Sequence, residues 1–474
     1  MLSVLMLSMI LLSACQDFKV SKINDSVVDE NALVLGDTIY GKMRFGKNIN
    51  AQTFQQDAIV TFNHYQYVGY YNNNRQVCVA RRKLPEGVWE ILQFKDYLFA
   101  VNDAHNTISV GICPKDGTIH LAFDMHAHEL HYHVSEKGVA THPEKVNWST
   151  SLFGSVSDEL DPEKPITSIT YPRFIQTPEG GLQSCYRIGG SGGGTRILSD
   201  YNPKSGTFEN AHPIDSGKGN FKDQLNESNS RNSYPNGYTY GINGKLHATW
   251  VWRESSQGAN HDLMYAYSED QGNTWKNNKD EFLTNVPNIN TPDITVVDIP
   301  RGYGLMNTHG QTVDSKGRIH TVMWHCTDES LKPFGIEPWK ERWGVEGARH
   351  YNHYWRDNNG DWKHNKLPGV AGNRPKVLAD QEDNLYLIFG RTSGLDETIT
   401  GIYYEKGDLV IMAATADRNW KDWKVIHIEK GPFMNEMLAD YYRWKESGIL
   451  SILVQESSEG HSPSALRILD YNLK

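Results

Sequence analysis

The sequence predicts an all-β fold, a seven-bladed β-propeller of four-stranded antiparallel blades whose ring is closed by an N-terminal strand. Three observations lead to this prediction. Units of a tight turn and an alternating strand recur about every 65 residues, one turn matches a motif of blade architecture, and turn-forming residues are abundant. The 474 residues include 41 Gly and 19 Pro, which favours short strands joined by turns over a helical bundle.

The repeats are marked by tight-turn sequences that are each followed by a β-rich run. These turns are KDG at 115–117, EGG at 179–181, NG at 243–244, KG at 316–317, DN at 383–384 and SG at 447–448. Together with a further unit at residues 57–95 they make seven blades. The last unit lacks an outermost strand, and we expect the stretch Asn31–Tyr40 to supply it. Such closure of the ring removes exposed sheet edges.

One turn carries a specific motif. The stretch 268–275, SEDQGNTW, matches the Asp-box pattern S-x-D-x-G-x-T-W. In sialidase-like propellers this sequence forms a turn between the two outer strands of a blade, where Asp and Ser side chains bond the turn backbone and the Trp packs between blades. The motif therefore indicates blade architecture and says nothing about activity.

The N-terminal residues read as an export signal. Residues 1–14, MLSVLMLSMILLSA, carry no charge and are too few for a membrane anchor, which suits a signal peptide. The run LSAC resembles a bacterial lipobox that would be lipidated on Cys15, and a plain signal peptide is the alternative. We expect a lipoprotein-type signal at 1–14, a linker at 15–30 and a single catalytic propeller at 31–474. The protein would then be an outer-membrane or cell-surface lipoprotein, or secreted, and would contact a membrane only through its lipid anchor.

Charge and cysteine usage exclude several classes. The net charge is −10, from 47 basic and 57 acidic residues, so a broad nucleic-acid surface is not expected, whereas a local basic cleft could hold an acidic ligand. The four remaining cysteines match no zinc-finger or disulfide spacing. We therefore expect buried thiols at Cys78, Cys113, Cys185 and Cys326.

The hairpins predict where a functional site lies. Residues that face each other across an antiparallel hairpin have numbers centred on the turn. This rule places four pairs of polar side chains at the open ends of their hairpins, where successive blades would gather them around the central channel. The predicted pairs are His105 with His126, Tyr171 with Arg187, Tyr234 with Arg253, and Arg374 with Arg391.

The residue types in this patch favour elimination over hydrolysis. A typical glycosidase needs two carboxyl groups flanking the bond, and none of the four pairs contains one. In β-elimination on a uronic acid, a guanidinium neutralises the C6 carboxylate, one His or Tyr removes the C5 proton, and another protonates the departing O4.

Three stretches carry a family resemblance. They are 103–126 (DAHNTISVGICPKDGTIHLAFDMH), 169–194 (ITYPRFIQTPEGGLQSCYRIGGSGGG) and 233–255 (SYPNGYTYGINGKLHATWVWRES). They resemble the seven-bladed propeller polysaccharide lyases known as ulvan lyases, and the resemblance extends over roughly residues 57–474.

The resemblance implies a substrate and a set of catalytic residues. The substrate would be ulvan, a sulfated polysaccharide cut at rhamnose-3-sulfate–uronate linkages to leave an unsaturated uronyl end. His105, His126, Tyr171 and Arg187 would carry the elimination, with Arg187 on the carboxylate and with Tyr171 and a histidine sharing the acid and base work; which of them is the base stays open. Substrate contacts would come from Tyr234, Arg253, Arg374 and Arg391. We expect a monomer.

No cofactor is required for this chemistry, but a structural metal is a further possibility. His325, Cys326, His350 and His353 are expected on consecutive strands of one blade and could bind a structural zinc. Their spacing matches no standard motif, so packing without a ligand is the alternative. Calcium in the loops is also possible, although no motif supports it.

Two other functions compete with the lyase. A sialidase-like hydrolase would need three arginines on one carboxylate and a Tyr/Glu nucleophile pair, for which Tyr441 with Arg374 and Arg391 is a rough candidate. A non-catalytic polysaccharide-binding lipoprotein would use the same patch only to hold the polymer.

Overall fold

The computed structural model describes residues 18–52, 57–161, 165–255, 258–337, 345–392, 406–434 and 436–473. The predicted signal peptide and Cys15 lie outside these residues. Among the described residues, none of the helices has the length and apolar character needed to cross a membrane.

Seven small antiparallel sheets form the blades, as predicted, and each runs from an inner to an outer strand. Their inner strands are mostly buried, because neighbouring blades cover them on each side. The first three blades comprise β2 (Ile59–Phe62), β3 (Tyr65–Tyr71), β4 (Val77–Lys83) and β5 (Glu90–Gln93); then β6 (Ile108–Ile112), β7 (Ile119–Phe123) and β9 (Tyr132–Val134); then β10 (Ile169–Gln176), β11 (Leu182–Ile188), β12 (Thr195–Asn202) and β13 (Thr207–Pro213), with β8 (His126–His128) added beside β10.

The remaining four blades continue the ring. They comprise β16 (Asn232–Tyr240), β17 (Leu246–Arg253), β18 (Asn260–Ser268) and β19 (Thr295–Val297); then β20 (Gly310–Val313), β21 (Ile319–His325), β22 (His350–Arg356) and β23 (Trp362–Lys366); then β24 (Lys376–Ala379), β25 (Leu385–Thr392), β26 (Gly407–Ala414) and β27 (Lys424–Phe433); then β28 (Leu438–Ala439), β29 (Ile449–Gln455), β30 (Ser464–Leu473) and β1 (Val20–Ala32).

Few helices and strands of the described residues lie outside the blades. A separate hairpin is formed by β14 (Lys218–Lys222) and β15 (Glu227–Ser230), and the α-helices are α1 (Asp328–Leu331) and α2 (Tyr441–Ser447). Single 3-10 turns occur at Pro143–Lys145, Thr150–Leu152, Lys332–Phe334, Glu346–Ala348 and Ala416–Arg418.

The ring is closed by β1, which pairs with β30 as the outermost strand of the last blade. Closure by the N-terminal strand is therefore confirmed, but the strand is Val20–Ala32 rather than Asn31–Tyr40. The predicted linker 15–30 is wrong over residues 20–30 for the same reason. An outermost strand is largely solvated, so the polar sequence VSKINDSVVDENA gives no apolar alternation to reveal it.

The Asp box forms the expected turn. Ser268 Oγ donates to Asp270 Oδ1 at 2.8 Å, and Asp270 accepts from the backbone N–H and the hydroxyl of Thr274 at 2.8 and 2.7 Å. Trp275 is buried in a cluster that includes Leu198 of the third blade and Leu246 of the fourth. The motif thus joins two blades. The four predicted buried thiols are confirmed as well, and all are free and buried.

Candidate functional site

The site begins with two stacked histidines. Strands β6 and β7 pair in the predicted register, with Ile108 opposite Phe123, and the chain extends from this hairpin to His105 and His126. Their rings stack with centroids 4.5 Å apart and an interplanar angle of 20°. His126 begins β8, which leaves the second blade and pairs with β10 of the third. The second blade's histidines are thereby brought to the third.

A carboxylate that the sequence analysis did not identify holds both rings. Asp103 Oδ1 accepts from Nδ1 of His105 at 2.9 Å, and Oδ2 accepts from Nδ1 of His126 at 3.0 Å. The backbone N–H of His105 also donates to Oδ1, at 2.9 Å. An ionised carboxylate only accepts, so both neutral imidazoles carry their proton on Nδ1 and keep Nε2 as the basic nitrogen.

The electrostatics of this trio keep the charge on Asp103. Burial opposes ionisation of Asp103, but the hydrogen bonds from the two histidines outweigh it and hold the pKa of the carboxyl well below its usual range. Burial lowers the pKa of His105 to about 4, although the hydrogen bond to Asp103 acts in the opposite direction. The imidazole of His105 is consequently neutral at neutral pH and able to accept a proton.

Tyr171 stands next to the histidines because of a bulge in β10. The β10–β11 ladder is irregular between Thr170 and Arg173, and Tyr171 adopts a left-handed conformation with φ of 54°. Its ring centroid lies 5.9 Å from those of His105 and His126. Burial raises the pKa of Tyr171 well above its usual value, so the phenol stays protonated.

Arg187 reaches Tyr171 without being paired with it. The bulge places Thr170, not Tyr171, opposite Arg187, so the predicted cross-strand pair is wrong by one residue. The contact survives because both side chains are long: the Arg187 guanidinium lies 5.3 Å from the centroid of the Tyr171 ring. The sequence analysis therefore predicted correctly that these two side chains meet, although the predicted strand register is off by one residue.

In the fourth blade, too, a bulge shifts the strand register but the two predicted side chains still meet. A bulge between Pro235 and Gly237 leaves Tyr234 opposite Val251 and Arg253 opposite Asn232, so the predicted direct pairing of Tyr234 with Arg253 is wrong. The Arg253 guanidinium nevertheless lies 4.5 Å from the centroid of the Tyr234 ring.

Side chains from two blades bond the Tyr234 hydroxyl. Its Oη accepts from Nη1 of Arg187 at 3.3 Å and from Nη1 of Arg253 at 3.4 Å, and it lies 3.1 Å from Oγ of Ser191, which belongs to the glycine-rich segment 189–194. Burial raises the pKa of Tyr234, but the two guanidinium charges outweigh burial and lower it to about 7. This position therefore stabilises a negatively charged oxygen.

These residues form one site, here called the His–Tyr–Arg patch. It consists of Asp103, His105, His126, Tyr171, Arg187, Tyr234 and Arg253. Asp103, His105 and His126 also form a possible metal-ligand group, since their ligand atoms lie within 4.8 Å of one another. The hydrogen bonds that join them use both Nδ1 protons, so a cation there would have to displace those protons.

Arg374 and Arg391 do not form the predicted pair. The β24–β25 ladder pairs Lys376 with Ile388, one residue away from the predicted register. Arg374 is buried, and its Nε donates to Glu436 at 2.6 Å. It still acts on the patch at a distance, as one of the charges that lower the pKa of His105. Arg391 lies opposite Asp408, and within the described residues no contact joins it to the patch.

The structure also does not gather the four residues considered for zinc. His325 bonds the Cys326 carbonyl and the Tyr354 hydroxyl at 2.8 and 2.9 Å, and Cys326 Sγ lies 3.6 Å from the carbonyl of Val345. His350 faces the Gly369 carbonyl at 2.6 Å.

The fourth residue, His353, bonds His320 at 3.0 Å. Side chains alternate between the faces of a strand, so His350 and His353, three residues apart on β22, point to opposite sides. The described geometry therefore does not bring the four predicted residues to one point.

Comparison with known protein sequences gives a family match and several related enzymes. Residues 65–369 match the model of the family described as BNR repeat-containing family member. A long-isoform ulvan lyase from Alteromonas sp is 28% identical over 338 residues, 59% of this chain and 32% of that protein. A short-isoform ulvan lyase from Alteromonas sp. (strain LOR) is 27% identical over 334 residues, 59% of this chain and 61% of that protein. The match thus spans about a third of the long relatives.

Solved structures show the same fold over almost the whole chain. The polysaccharide lyase Uly1 superposes with a TM-score of 0.72 and 18% identity, covering 95% of this chain and 99% of that one. The PL25-Ulvanlyase bound to -[GlcA(1-4)Rha3S]- superposes with a TM-score of 0.64 and 13% identity, covering 94% and 96%. Since the family model matches well over half of the sequence, the chain belongs to the BNR repeat-containing family.

Proposed function

We propose that this protein is a polysaccharide lyase that cleaves ulvan by β-elimination at the uronate and leaves an unsaturated uronyl end. The observation that carries the proposal is the His–Tyr–Arg patch itself, in which two imidazoles held by one carboxylate lie beside two phenols and two guanidiniums. The names of the similar proteins, and the glucuronate–rhamnose-3-sulfate unit in one neighbouring structure, support the choice of substrate.

The two guanidiniums account for the first requirement of the reaction. The C5 proton of a uronate becomes acidic enough to remove only when the C6 carboxylate is neutralised. Nη1 of Arg187 and Nη1 of Arg253 both donate to the Tyr234 oxygen, at 3.3 and 3.4 Å, so the two guanidiniums converge and can hold a substrate carboxylate beside that phenol. Charge-assisted hydrogen bonds of this kind are about twice as strong as neutral ones.

The other side chains divide the proton transfers. The histidine pair supplies the base, because its Nε2 atoms are basic and His105 is neutral; Asp103 couples the rings, so the base is assigned to the pair as a unit. Tyr171 supplies the acid, because burial keeps its phenol protonated. The C5 proton passes to the imidazole, the C4–C5 double bond forms, and O4 leaves with the Tyr171 proton.

The competing functions find less support in the patch. Hydrolysis with two carboxyl groups fails because the carboxylate of the patch, Asp103, is occupied by both histidines. The sialidase alternative fails because Arg374 is bonded to Glu436 and Arg391 lies beside Asp408. A protein that only binds the polysaccharide would not require the neutral phenol of Tyr171 next to the readily ionised phenol of Tyr234.

The test is to incubate the protein with ulvan and follow the ultraviolet absorbance of unsaturated uronates. We expect absorbance to rise with the wild-type protein and to stay flat with Arg187→Ala and Tyr171→Phe, while their thermal transitions stay close to that of the wild type. Tyr201→Phe, on the same blade and bonded to Asp116, is the matched control and should retain activity. New reducing ends without absorbance would mean hydrolysis, and neither signal would mean binding alone.

We also propose that the protein acts outside the cytoplasm, because an intact polymer does not enter a cell and residues 1–14 read as an export signal. We propose in addition that it is a monomer. Metabolic labelling with a radioactive fatty acid tests the anchor: label on the wild type and none on Cys15→Ala is expected for a lipoprotein. Sedimentation of the secreted or detergent-released protein measures the oligomeric state.

A further inference from the structure

A groove of about 590 Å³ lies beside the His–Tyr–Arg patch, between the hairpin of β14 and β15 and the end of β17. Gly192 lines it and directly follows Ser191, which lies 3.1 Å from the Tyr234 hydroxyl of the patch. Glu254 also lines it and directly follows Arg253 of the patch. The groove, here called the hairpin groove, therefore begins at the edge of the patch. Its other lining residues include Asn220, Asn226, Glu227, Asn229 and Arg301.

A buried arginine anchors the hairpin that forms one wall of the groove. Nη2 of Arg231 donates to the carbonyls of Gly219 on β14 and Ser228 on β15, at 3.0 and 3.2 Å. Glu254 holds Arg231 in turn, because it accepts from Nε at 2.7 Å and from Nη2 at 3.1 Å. Since Glu254 is adjacent to Arg253, this anchor ties the hairpin to the strand that carries a guanidinium of the patch.

Ring stacking and a second arginine fix the rest of the hairpin. The ring of Phe221 on β14 stacks on that of the buried His261, with centroids 4.2 Å apart and an interplanar angle of 23°. At the turn of the hairpin, Nε of Arg301 donates to Asp223 at 2.7 Å and Nη2 donates to Oδ1 of Asn226 at 2.9 Å. The wall of the groove is thus held in place by the protein itself, so binding there requires little ordering of the hairpin.

The charged side chains that line the groove already have partners of opposite charge. Glu254 is bonded to the anchoring arginine, and Arg301 is bonded to Asp223. Glu227 lies 3.3 Å from Nζ of Lys222. A ligand in the groove would therefore be bound through hydrogen bonds more than through net charge.

Several donors in the groove are left for such a ligand. Within the described part of the chain, the side-chain amides of Asn220 and Asn229 make no hydrogen bond. Among the same residues, Nδ2 of Asn226 and Nη1 of Arg301 also make none, although the bond between these two side chains holds both in place. Arg301 is only 6% exposed, so its remaining N–H groups are presented by a fixed side chain. Amide and guanidinium N–H groups of this kind bond the oxygen atoms of sugars and of sulfate.

We propose that the hairpin groove is a subsite for the sugar next to the reacting uronate, and that its free N–H groups bond the oxygen atoms of that sugar. The inference rests on the proposed function, because the ligand is the same polymer. A polymer bound at the patch must continue over the adjoining surface, and the hairpin groove is a preformed depression there. A chain held in the patch and in the groove gains binding from both, because the second contact is intramolecular.

The test measures binding separately from catalysis. Calorimetry gives the Kd of an ulvan oligosaccharide for Tyr171→Phe, which we expect to bind without cleaving, and for the same protein with Asn220→Ala and Asn229→Ala added. The two alanines should raise Kd roughly 10-fold, because each removes a neutral hydrogen bond to the sugar. The thermal transition should stay unchanged, because neither amide bonds the protein. Asn359→Ala, in the exposed turn between β22 and β23, is the matched control and should leave Kd unchanged.

Crystals of Tyr171→Phe soaked with the same oligosaccharide give an independent measurement. Density for a sugar within hydrogen-bond distance of Asn229 or of Arg301 Nη1, together with the rise in Kd, supports the proposal. A sugar at the patch without one in the groove, or equal Kd values with and without the two alanines, overturns it. Absorbance on ulvan is read separately with the wild type. No absorbance together with a 10-fold effect on Kd would reject the lyase and keep the subsite, whereas normal absorbance with equal Kd values would reject the subsite and keep the lyase.

Discussion

The contact between Asp103 and the two histidines allows a quantitative prediction for Asp103→Asn. The wild-type carboxylate accepts from Nδ1 of His105 at 2.9 Å and from Nδ1 of His126 at 3.0 Å. An amide has one acceptor oxygen and one donor nitrogen in place of the two oxygens. Whichever way it is oriented, one histidine meets an N–H group, takes up its proton on Nε2 instead, and ceases to be a base towards the substrate.

The size of the effect follows from the bonds that are lost. A hydrogen bond to a charged group contributes about 1.5–3 kcal/mol. If that energy is lost in the transition state, kcat falls roughly 10- to 150-fold. KM should change much less, because Arg187 and Arg253 remain in place to bind the carboxylate. The negative charge of Asp103 raises the pKa of His105, so its removal should also move the acid limb of the pH–rate profile to lower pH.

The assay is the rise in ultraviolet absorbance on ulvan, with kcat and KM measured across the pH range for wild type and variant. Asp124→Asn is the control, because Asp124 is a neighbouring buried carboxyl group that bonds Asn106 and lies outside the patch. Its acid limb should coincide with that of the wild type. Wild-type kcat in Asp103→Asn with an unshifted acid limb would refute the assignment of the base to the histidine pair.

Three further predictions concern single side chains. Tyr234→Phe should remove an ultraviolet tyrosinate titration centred near pH 7, because the pKa of Tyr234 is lowered to about 7; a titration of the same size in the variant would contradict the cause given above. Asp270→Ala in the Asp box loses its bonds to Ser268 and Thr274, so urea unfolding should show a loss of about 1–2 kcal/mol, with activity per folded molecule retained. For Asp470, Arg82 and Arg443 lower its pKa against the opposing effect of burial, so Asp470→Asn should cost about 3–5 kcal/mol at neutral pH. The wild type loses this contribution as the pH falls through the folded-state pKa of Asp470, so the gap between the two proteins should close in acid; a gap independent of pH would contradict this.

The fold was predictable because each blade repeats one local unit. The same counting succeeded for His105 and His126, where the hairpin between them pairs without irregularity up to Ile108 and Phe123. It failed by one residue at Tyr171, where a bulge interrupts the ladder. Bulges depend on packing between blades as much as on local sequence, so a count from the turn does not detect them.

Arg374 and Asp103 show what a local reading of the sequence misses and what it could have detected. Arg374 was expected to meet substrate, but Glu436, 62 residues further along the chain, occupies it. Asp103, by contrast, had a readable signal: it lies two residues before His105 and accepts that residue's backbone N–H, a common role for aspartate in turns. The missed signal was the Asp-x-His spacing at residues 103–105, the start of the first stretch that carries the family resemblance.

The pairing of β1 with β30 determines when this protein can finish folding. Val20 pairs with Leu473 and Ala32 with Ser464, so the two strands that close the ring lie far apart in the sequence. Until β30 is in place, β1 has no ladder to join and the last blade has no outermost strand. Joining strands this distant in sequence has a large loop-closure cost, so we expect closure of the ring to be among the last steps of folding.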